Sequence, residues 1–291
     1  MILLAGGSGT LGRFLIPMLS KHEPVRVLTR SPDRTADRTG DNVEVAIGNV
    51  SDPESLTSAL ARIDVVISAI TGFAEKPPLG PAAVDRDGNR NLIRAAVRAG
   101  VKHFVLLSIL GVSPEHPMEL FRMKWEAEEE LRRSEISWSV VRPTAYMETW
   151  VGILAAPLLN DRPAMVFGRG TNPINFISAA DVAHAVDSAS VERREGGIAE
   201  IGGPDDLGMK DLVETFRSVT GKQGSTRRIP RPMLRLMSVA ARPFNAVLAR
   251  QAGAALVMDT RDMTLAGSLT TSRATAPSTS LTEMLKRDYA G

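Results

Sequence analysis

The stretch Gly6-Gly7-Ser8-Gly9-Thr10-Leu11-Gly12 constrains this chain more than any other. It follows a short apolar run, Met1–Leu4, and opens a segment, 10–20, in which Leu11, Phe14, Leu15, Met18 and Leu19 recur at helical spacing. That order is strand, glycine turn, helix. Gly6 permits the tight turn, Gly9 has no Cβ to block a pyrophosphate, and Gly12 lets the helix sit close to the strand. The helix start offers backbone N–H groups and about half a positive charge to an anion. The turn therefore predicts a dinucleotide site, with Gly6, Ser8, Gly9, Thr10 and Leu11 at the phosphates. A glycine-rich turn without a ligand is the plainer alternative, and the context weighs against it.

That context is an alternation of strands and helices. Val25–Leu28 reads as a second strand ending in Thr29, Arg30, Ser31 and Pro32. About 20 residues beyond the glycines, the end of this strand faces the adenosine ribose, where an acidic residue would bind the 2′-hydroxyl of NAD. Here the position holds Arg30, with Arg34 close behind, and a guanidinium can stack on adenine and grip a 2′-phosphate. That favours NADP; a solvated loop charge is the other reading of Arg30. Val43–Ile47 is a third strand, followed by a helix that Ser51 or Asp52 can cap, with Pro53 and Glu54 in its first turn. Asn49 and Val50 would lie beside the adenine.

Asp64–Ala69 is a nearly continuous apolar run, as expected of a strand covered on both faces. Ala69, Ile70, Thr71 and Gly72 would line the cofactor from the carboxyl end of that strand, the edge where open α/β sheets hold ligands. Phe73–Pro81, rich in proline and glycine, is a loop that reaches the same edge. Val84–Ala99 reads as a helix with Leu92, Ala95, Ala96 and Ala99 inward, and residues 100–108 as a fifth strand ending at Ser108. The whole predicts an α/β fold with a doubly wound parallel sheet.

Composition narrows the chemistry. The 291 residues are 43% hydrophobic and 23% charged, as in an ordinary globular protein. With no cysteine, disulfides and thiolate chemistry are excluded. The four histidines, His22, His103, His116 and His184, have no metal-ligand spacing, so no metal site is expected. The sequence starts without a basic region or a cleavage site, and no run reaches the roughly 18 apolar residues of a membrane span. A cytoplasmic protein is expected.

Within 117–134, Leu120, Met123, Ala127 and Leu131 share one helical face, and Lys124 falls inside that stripe. Either it snorkels to solvent or pairs with Glu128, or it points over the sheet edge to hold a nicotinamide ribose and polarise a substrate oxygen. Ser137–Val141 then reads as a sixth strand running into Arg142-Pro143-Thr144-Ala145-Tyr146.

Taken in order, the segments GGSGTLG, VLTRSP, GNVSDPESL, VISAITG, GNRNLIRAAVRAGVKHFVLLS, KWEAEEELRRSEISWSVVRPTAY and FISAADVAHA closely resemble the NmrA-like branch of the atypical short-chain dehydrogenase/reductases. The likeness covers roughly residues 1–220 and is specific as a set rather than piece by piece. It implies a Rossmann domain over residues 1–150, a smaller α/β substrate part over 151–291 partly interwoven with it, and NADP as the usual ligand. It also implies Lys124 and Ser108 near the nicotinamide, with Pro143–Tyr146 passing under the cofactor. Ordinary short-chain reductases place a tyrosine four residues before the lysine, whereas this chain has Leu120 there, which transfers no proton. Tyr146 is the nearby phenol, either catalytic or a packed aromatic. Some members of the branch reduce small molecules, and others bind NADP as redox-sensing regulators or assembly factors. The expected function is reduction of a small carbonyl, enone or quinone-type substrate, with the regulator as alternative.

The remaining sequence alternates less clearly. Val151–Leu159 reads as an amphipathic helix, Ala164–Phe167 as a strand, Phe176–Ser190 as a strand end and helix with Asp181 in a structural role in its first turn, and Ile198–Ile201 as a strand. A helix starts at Met209 and stops at Gly221. Between Glu214 and Asp259 there is no acidic residue, while Arg217, Lys222, Arg227, Arg228, Arg231, Arg235, Arg242 and Arg250 alternate with apolar residues. This suggests a basic amphipathic helix broken at Pro243. It can close over an anionic substrate, lie on an anionic membrane through 227–250, serve as a dimer arm, or pack with a solvated cationic face. Nucleic acid is not an expected partner, since aromatics and reading motifs are missing. A monomer or homodimer is expected, with 267–280 a loop before a last helix at Leu281–Arg287.

Overall fold

Ile2–Ala5 and Val65–Ser68 are buried at every position, which is what strands covered on both faces require. The computed structural model describes residues 1–33, 40, 42–193, 196–265 and 278–290. In chain order the first elements are β1 (Ile2–Ala5), α1 (Gly12–Leu19), β2 (Val25–Thr29), β3 (Val43–Ile47), α2 (Pro53–Ala59) and β4 (Val65–Ser68). A π-helical turn, Ala82–Gly88, leads into α3 (Asn89–Arg98), then β5 (His103–Leu107), α4 (Glu119–Arg132) and β6 (Ser137–Pro143). Next come β7 (Ala145–Tyr146), α5 (Met147–Leu154), β8 (Ala164–Phe167), β9 (Ile174–Ile177), α6 (Ala179–Glu192) and β10 (Gly197–Ile201). The chain ends with β11 (Asp206–Leu207), α7 (Met209–Thr220), β12 (Thr226–Ile229), α8 (Arg231–Ala240), α9 (Ala246–Thr260) and α10 (Leu281–Tyr289).

Two compact units emerge. The first takes Met1–Pro143 and Val182–Ile201, and the second takes the described residues of Thr144–Asp181, Gly202–Leu269 and Pro277–Gly291. In the first unit seven parallel strands lie in the order β10-β6-β5-β4-β1-β2-β3. This is the doubly wound Rossmann sheet expected from the βαβ alternation. Strand β1 pairs with β2 on one side and β4 on the other, so the strand order reverses there and opens a crevice beyond its carboxyl end. One face packs Leu3, Leu56, Val66, Leu92, Phe104 and Leu131 into a shared core. The second unit is built around Val151, Phe176, Leu212, Phe216 and Met284, with a three-stranded sheet β11-β9-β7 and a two-stranded pair β12-β8.

Several boundaries follow local chemistry. Asp52, rather than Ser51, caps α2, accepting from Glu54 N–H at 3.2 Å. Gly221 ends α7 at φ +68, a conformation glycine adopts freely. Asp181 accepts two hydrogen bonds from Thr279, 2.8 and 2.7 Å, in the structural role expected of it. Ala99, expected inward, is exposed at the end of α3, because the helix stops before another turn could bring it round; Ile93 is buried instead. The helix expected at Val151–Leu159 starts earlier, at Met147, and gives way to a 3₁₀ turn at Ala156–Asn160, where Pro157 cannot continue the α pattern. The basic helix breaks around Pro243 into α8 and α9.

Candidate functional site

Apart from Lys124, which α4 carries, the expected cofactor residues of the first unit lie at or just beyond the carboxyl ends of parallel strands, so they share one edge of the sheet. Gly6–Leu11 follow β1, Arg30 follows β2, Asn49 and Val50 follow β3, Ala69–Gly72 follow β4 and Ser108 follows β5, while Pro143 ends β6. Gly6 turns with φ +95, and a Cβ on it would stand 2.5 Å from the Ala69 carbonyl oxygen. A Cβ on Gly12 would lie 1.9 Å from the Gly7 oxygen, so the close approach of α1 demands glycine there. At Gly9 the described residues leave room: the nearest atom to an added Cβ is Gly6 O at 3.4 Å, an ordinary contact. The protein's own packing does not require glycine at this point, which fits a bound pyrophosphate that does. Leu11 is the buried N-cap residue of α1, whose first turn carries neither a side-chain cap nor an acidic residue, so an anion meets no competing carboxylate there. Gly9 and Thr10 are exposed and Ser8 is half-buried.

Toward the adenosine side, Arg30 donates to Glu75 of the 73–81 loop at 2.5 Å. The guanidinium is thus held at the sheet edge by a carboxylate that no sequence pattern singles out. Asn49 N–H is held by Ser55 Oγ at 3.0 Å, and Val50 O accepts from Asn91 at 2.9 Å, which fixes the turn after β3. Arg34 lies outside the described residues.

The other side of the edge is a buried polar network. Lys124, 3% exposed, donates from Nζ to Ile70 O and Leu107 O, both at 2.9 Å, and stands 3.2 Å from Asp85 Oδ1. It does not pair with Glu128, which is bound by Arg142 and Arg132. It points at the carboxyl ends of β4 and β5. Asp85 is fully buried, and its Oδ2 accepts from Gly72 N–H at 2.8 Å. Burial pushes its carboxyl pKa up, opposed by the Lys124 charge and the Gly72 hydrogen bond. Asn89 donates to Asp85 O and accepts from Ser68 Oγ, each at 2.6 Å.

Ser108, 2% exposed, has no hydrogen-bond partner for its hydroxyl among the described residues. Buried hydroxyls are normally satisfied, so this one fits a role toward a bound group. Pro143 O accepts from Leu110 N–H at 2.9 Å, tying the end of β6 to the chain beyond β5. Tyr146 belongs to the second unit, where burial and then Glu148 raise its phenol pKa above the ordinary value.

Sequence reading missed Asp85, Asn89 and Glu75. For Asp85 and Asn89 a signal existed: at four-residue spacing they fall in line with Leu92 and Ala96, polar residues on an apolar face just as Lys124 is. The π-helical geometry at 82–88, a form that recurs at functional sites, has no comparable signature.

A family model described as NAD(P)H-binding matches residues 6–190. The photosystem II assembly factor Ycf39 of Synechocystis is 30% identical, covering 84% of this chain and 74% of that protein. An NAD(P)H azoreductase of Xenophilus azovorans is 27% identical, covering 76% of this chain and 74% of its own. The NADPH-dependent quinone oxidoreductase of Escherichia coli, solved with NADPH, shares the fold at TM-score 0.75 and 22% identity over 99% of each chain. With the glycine turn and the switch point in agreement, the chain belongs to the NAD(P)H-binding family.

Proposed function

We propose that this protein is an NADPH-dependent reductase of a small organic carbonyl, enone or quinone-type acceptor. One observation carries the reading: the edge with the open glycine turn also holds a buried hydroxyl, Ser108, that has no hydrogen-bond partner among the described residues and stands beside the carbonyls that Lys124 grips. Gly6, Ser8, Gly9, Thr10 and Leu11 hold the pyrophosphate, Asn49 and Val50 flank the adenine, and Ala69–Gly72 with Pro143 line the rest of the cofactor. Arg30 selects the 2′-phosphate, exchanging Glu75 for it. Bound NADPH supplies the hydride, and the protein supplies position and field.

Lys124 works in two ways. Its bonds to Ile70 and Leu107 fix the backbone on which the cofactor's reactive end rests, and its charge favours an acceptor oxygen that gains negative charge. Asp85 is the positioning residue that holds Lys124 there. Ser108 donates a hydrogen bond to that oxygen.

A second reading, a non-catalytic NADP(H)-sensing regulator or assembly factor acting through a protein partner, is favoured by Leu120, half-buried where ordinary reductases carry a proton-donating tyrosine. The similarity to Ycf39 supports it as well. Turnover separates the two. NADPH oxidation is measured with a panel of quinones, azo dyes and enones in the wild type, Ser108→Ala and Lys124→Met. A reductase shows acceptor-dependent oxidation that falls at least about tenfold in Ser108→Ala with NADPH affinity retained. Tight NADPH binding with no acceptor reduced would establish the regulator instead.

A further inference from the structure

Helices α8 and α9 form a hairpin in the second unit whose small core joins Leu234 to Ala252 and Ala255. Leu234 is the buried residue of α8. A surface helix normally turns polar residues outward, but here Met233, Leu236 and Val239 are 50, 63 and 64% exposed. At 100° per residue they share one arc with Pro232 and Ala240, also exposed. Phe244, in the turn that follows, is 91% exposed, and Leu248 extends the patch onto α9. An apolar surface of this extent marks an interaction site.

The charge around it says what it meets. Arg235 and Arg242 are exposed along one side of the arc, and Arg227 is exposed on β12. From residue 215 to 258 the chain carries no carboxylate side chain. Asp259, the acid that closes this interval, is buried and bound by Arg231 at 2.5 Å. The surface is apolar, flanked by exposed arginines and by no carboxylate of residues 215–258, the pattern of a segment that lies at an anionic lipid boundary. A second copy is disfavoured, because a twofold interface would set these arginines against each other. No helix among the described residues is long and apolar enough to cross a membrane, so the contact is peripheral.

We propose that the α8–α9 hairpin docks on an anionic lipid bilayer. Met233, Leu236, Val239 and Phe244 enter the boundary between headgroups and acyl chains, and Arg235 and Arg242 face the lipid phosphates. This inference is independent of the cofactor site.

Cosedimentation of the full chain with vesicles tests it, using phosphatidylcholine alone and phosphatidylcholine with phosphatidylglycerol. The protein is expected to pellet with the anionic vesicles only, less as salt rises. Leu236→Glu with Phe244→Glu lowers the bound fraction about tenfold, and Arg235→Gln with Arg242→Gln weakens the dependence on phosphatidylglycerol. All four substitutions lie on exposed positions, and unchanged circular dichroism and melting temperature show that the variants are folded. Absence of pelleting, equal pelleting with neutral vesicles, or an unaffected Leu236/Phe244 variant would overturn the proposal. So would sedimentation velocity showing a dimer that the same variant dissociates, which assigns the face to a second copy.

Discussion

Gly9 and Gly12 sit three residues apart in one turn and answer to different constraints. A side chain at Gly12 collides with the Gly7 carbonyl, whereas at Gly9 the described residues leave space. Gly12→Ala is therefore expected to destabilise the fold by about 3 kcal/mol or more, because backbone must move. Gly9→Ala is expected to leave the melting temperature within a degree or so while weakening NADPH at least about tenfold. Thermal melts paired with calorimetric titration check both, and a Gly9→Ala protein that binds NADPH normally would remove the pyrophosphate from this turn. At the same scale, Lys124 was legible because an ammonium inside an apolar stripe breaks a pattern. Its partner was not: Asp85 reaches it only through the packing of the π-helical turn on α4, and sequence periodicity carries no information on which helix faces which. Glu75 was hidden for another reason, since loops such as 73–81 have no period at all.

At the level of elements, β5 and β6 are joined by an imidazole as well as by their backbones. His103 stands in register with Ser137, and its two ring nitrogens reach Ser137 Oγ at 3.0 Å and Ser139 Oγ at 3.1 Å. Burial, helped by the charge of Arg193, lowers its pKa from 6.5 to about 4. Below pH 6.5 the unfolded chain binds a proton that the folded chain refuses. The associated stability is present in full above that pH and is lost as pH falls toward 4, by up to about 3 kcal/mol. Denaturant melts from pH 7.5 to 4.5 should show a shallower acid slope for His103→Gln than for the wild type; parallel slopes would mean that His103 protonates while folded. Elements with strong local signals, such as β4, α3 and α7, were readable from sequence to within a few residues. α8 was readable as basic and apolar, but which of its faces is buried depends on Leu234 meeting α9, a contact between segments that no periodicity specifies.

For the whole molecule, a ligand that binds the folded state alone raises stability by mass action. NADPH at about a hundred times its Kd contributes roughly 2.7 kcal/mol, which raises the melting temperature by about 5 °C or more. NADH at the same concentration is expected to give less, and Arg30→Asp to abolish the difference; equal shifts in the wild type would remove Arg30 from cofactor selection. The doubly wound parallel sheet followed from the alternation in the first 143 residues. The return of the chain to that sheet did not, because Gly197–Ile201 is a short strand whose partner is fixed by topology rather than by its own residues. That return sets a condition on synthesis and on dissection. The nucleotide-binding half is incomplete until residue 201 has been made, since β10 pairs with β6 over five registered positions. A fragment cut near residue 150 would strip β10 away and make β6, otherwise paired on both sides, the edge strand, its freed amides and carbonyls ready to recruit a strand from a neighbouring molecule and aggregate.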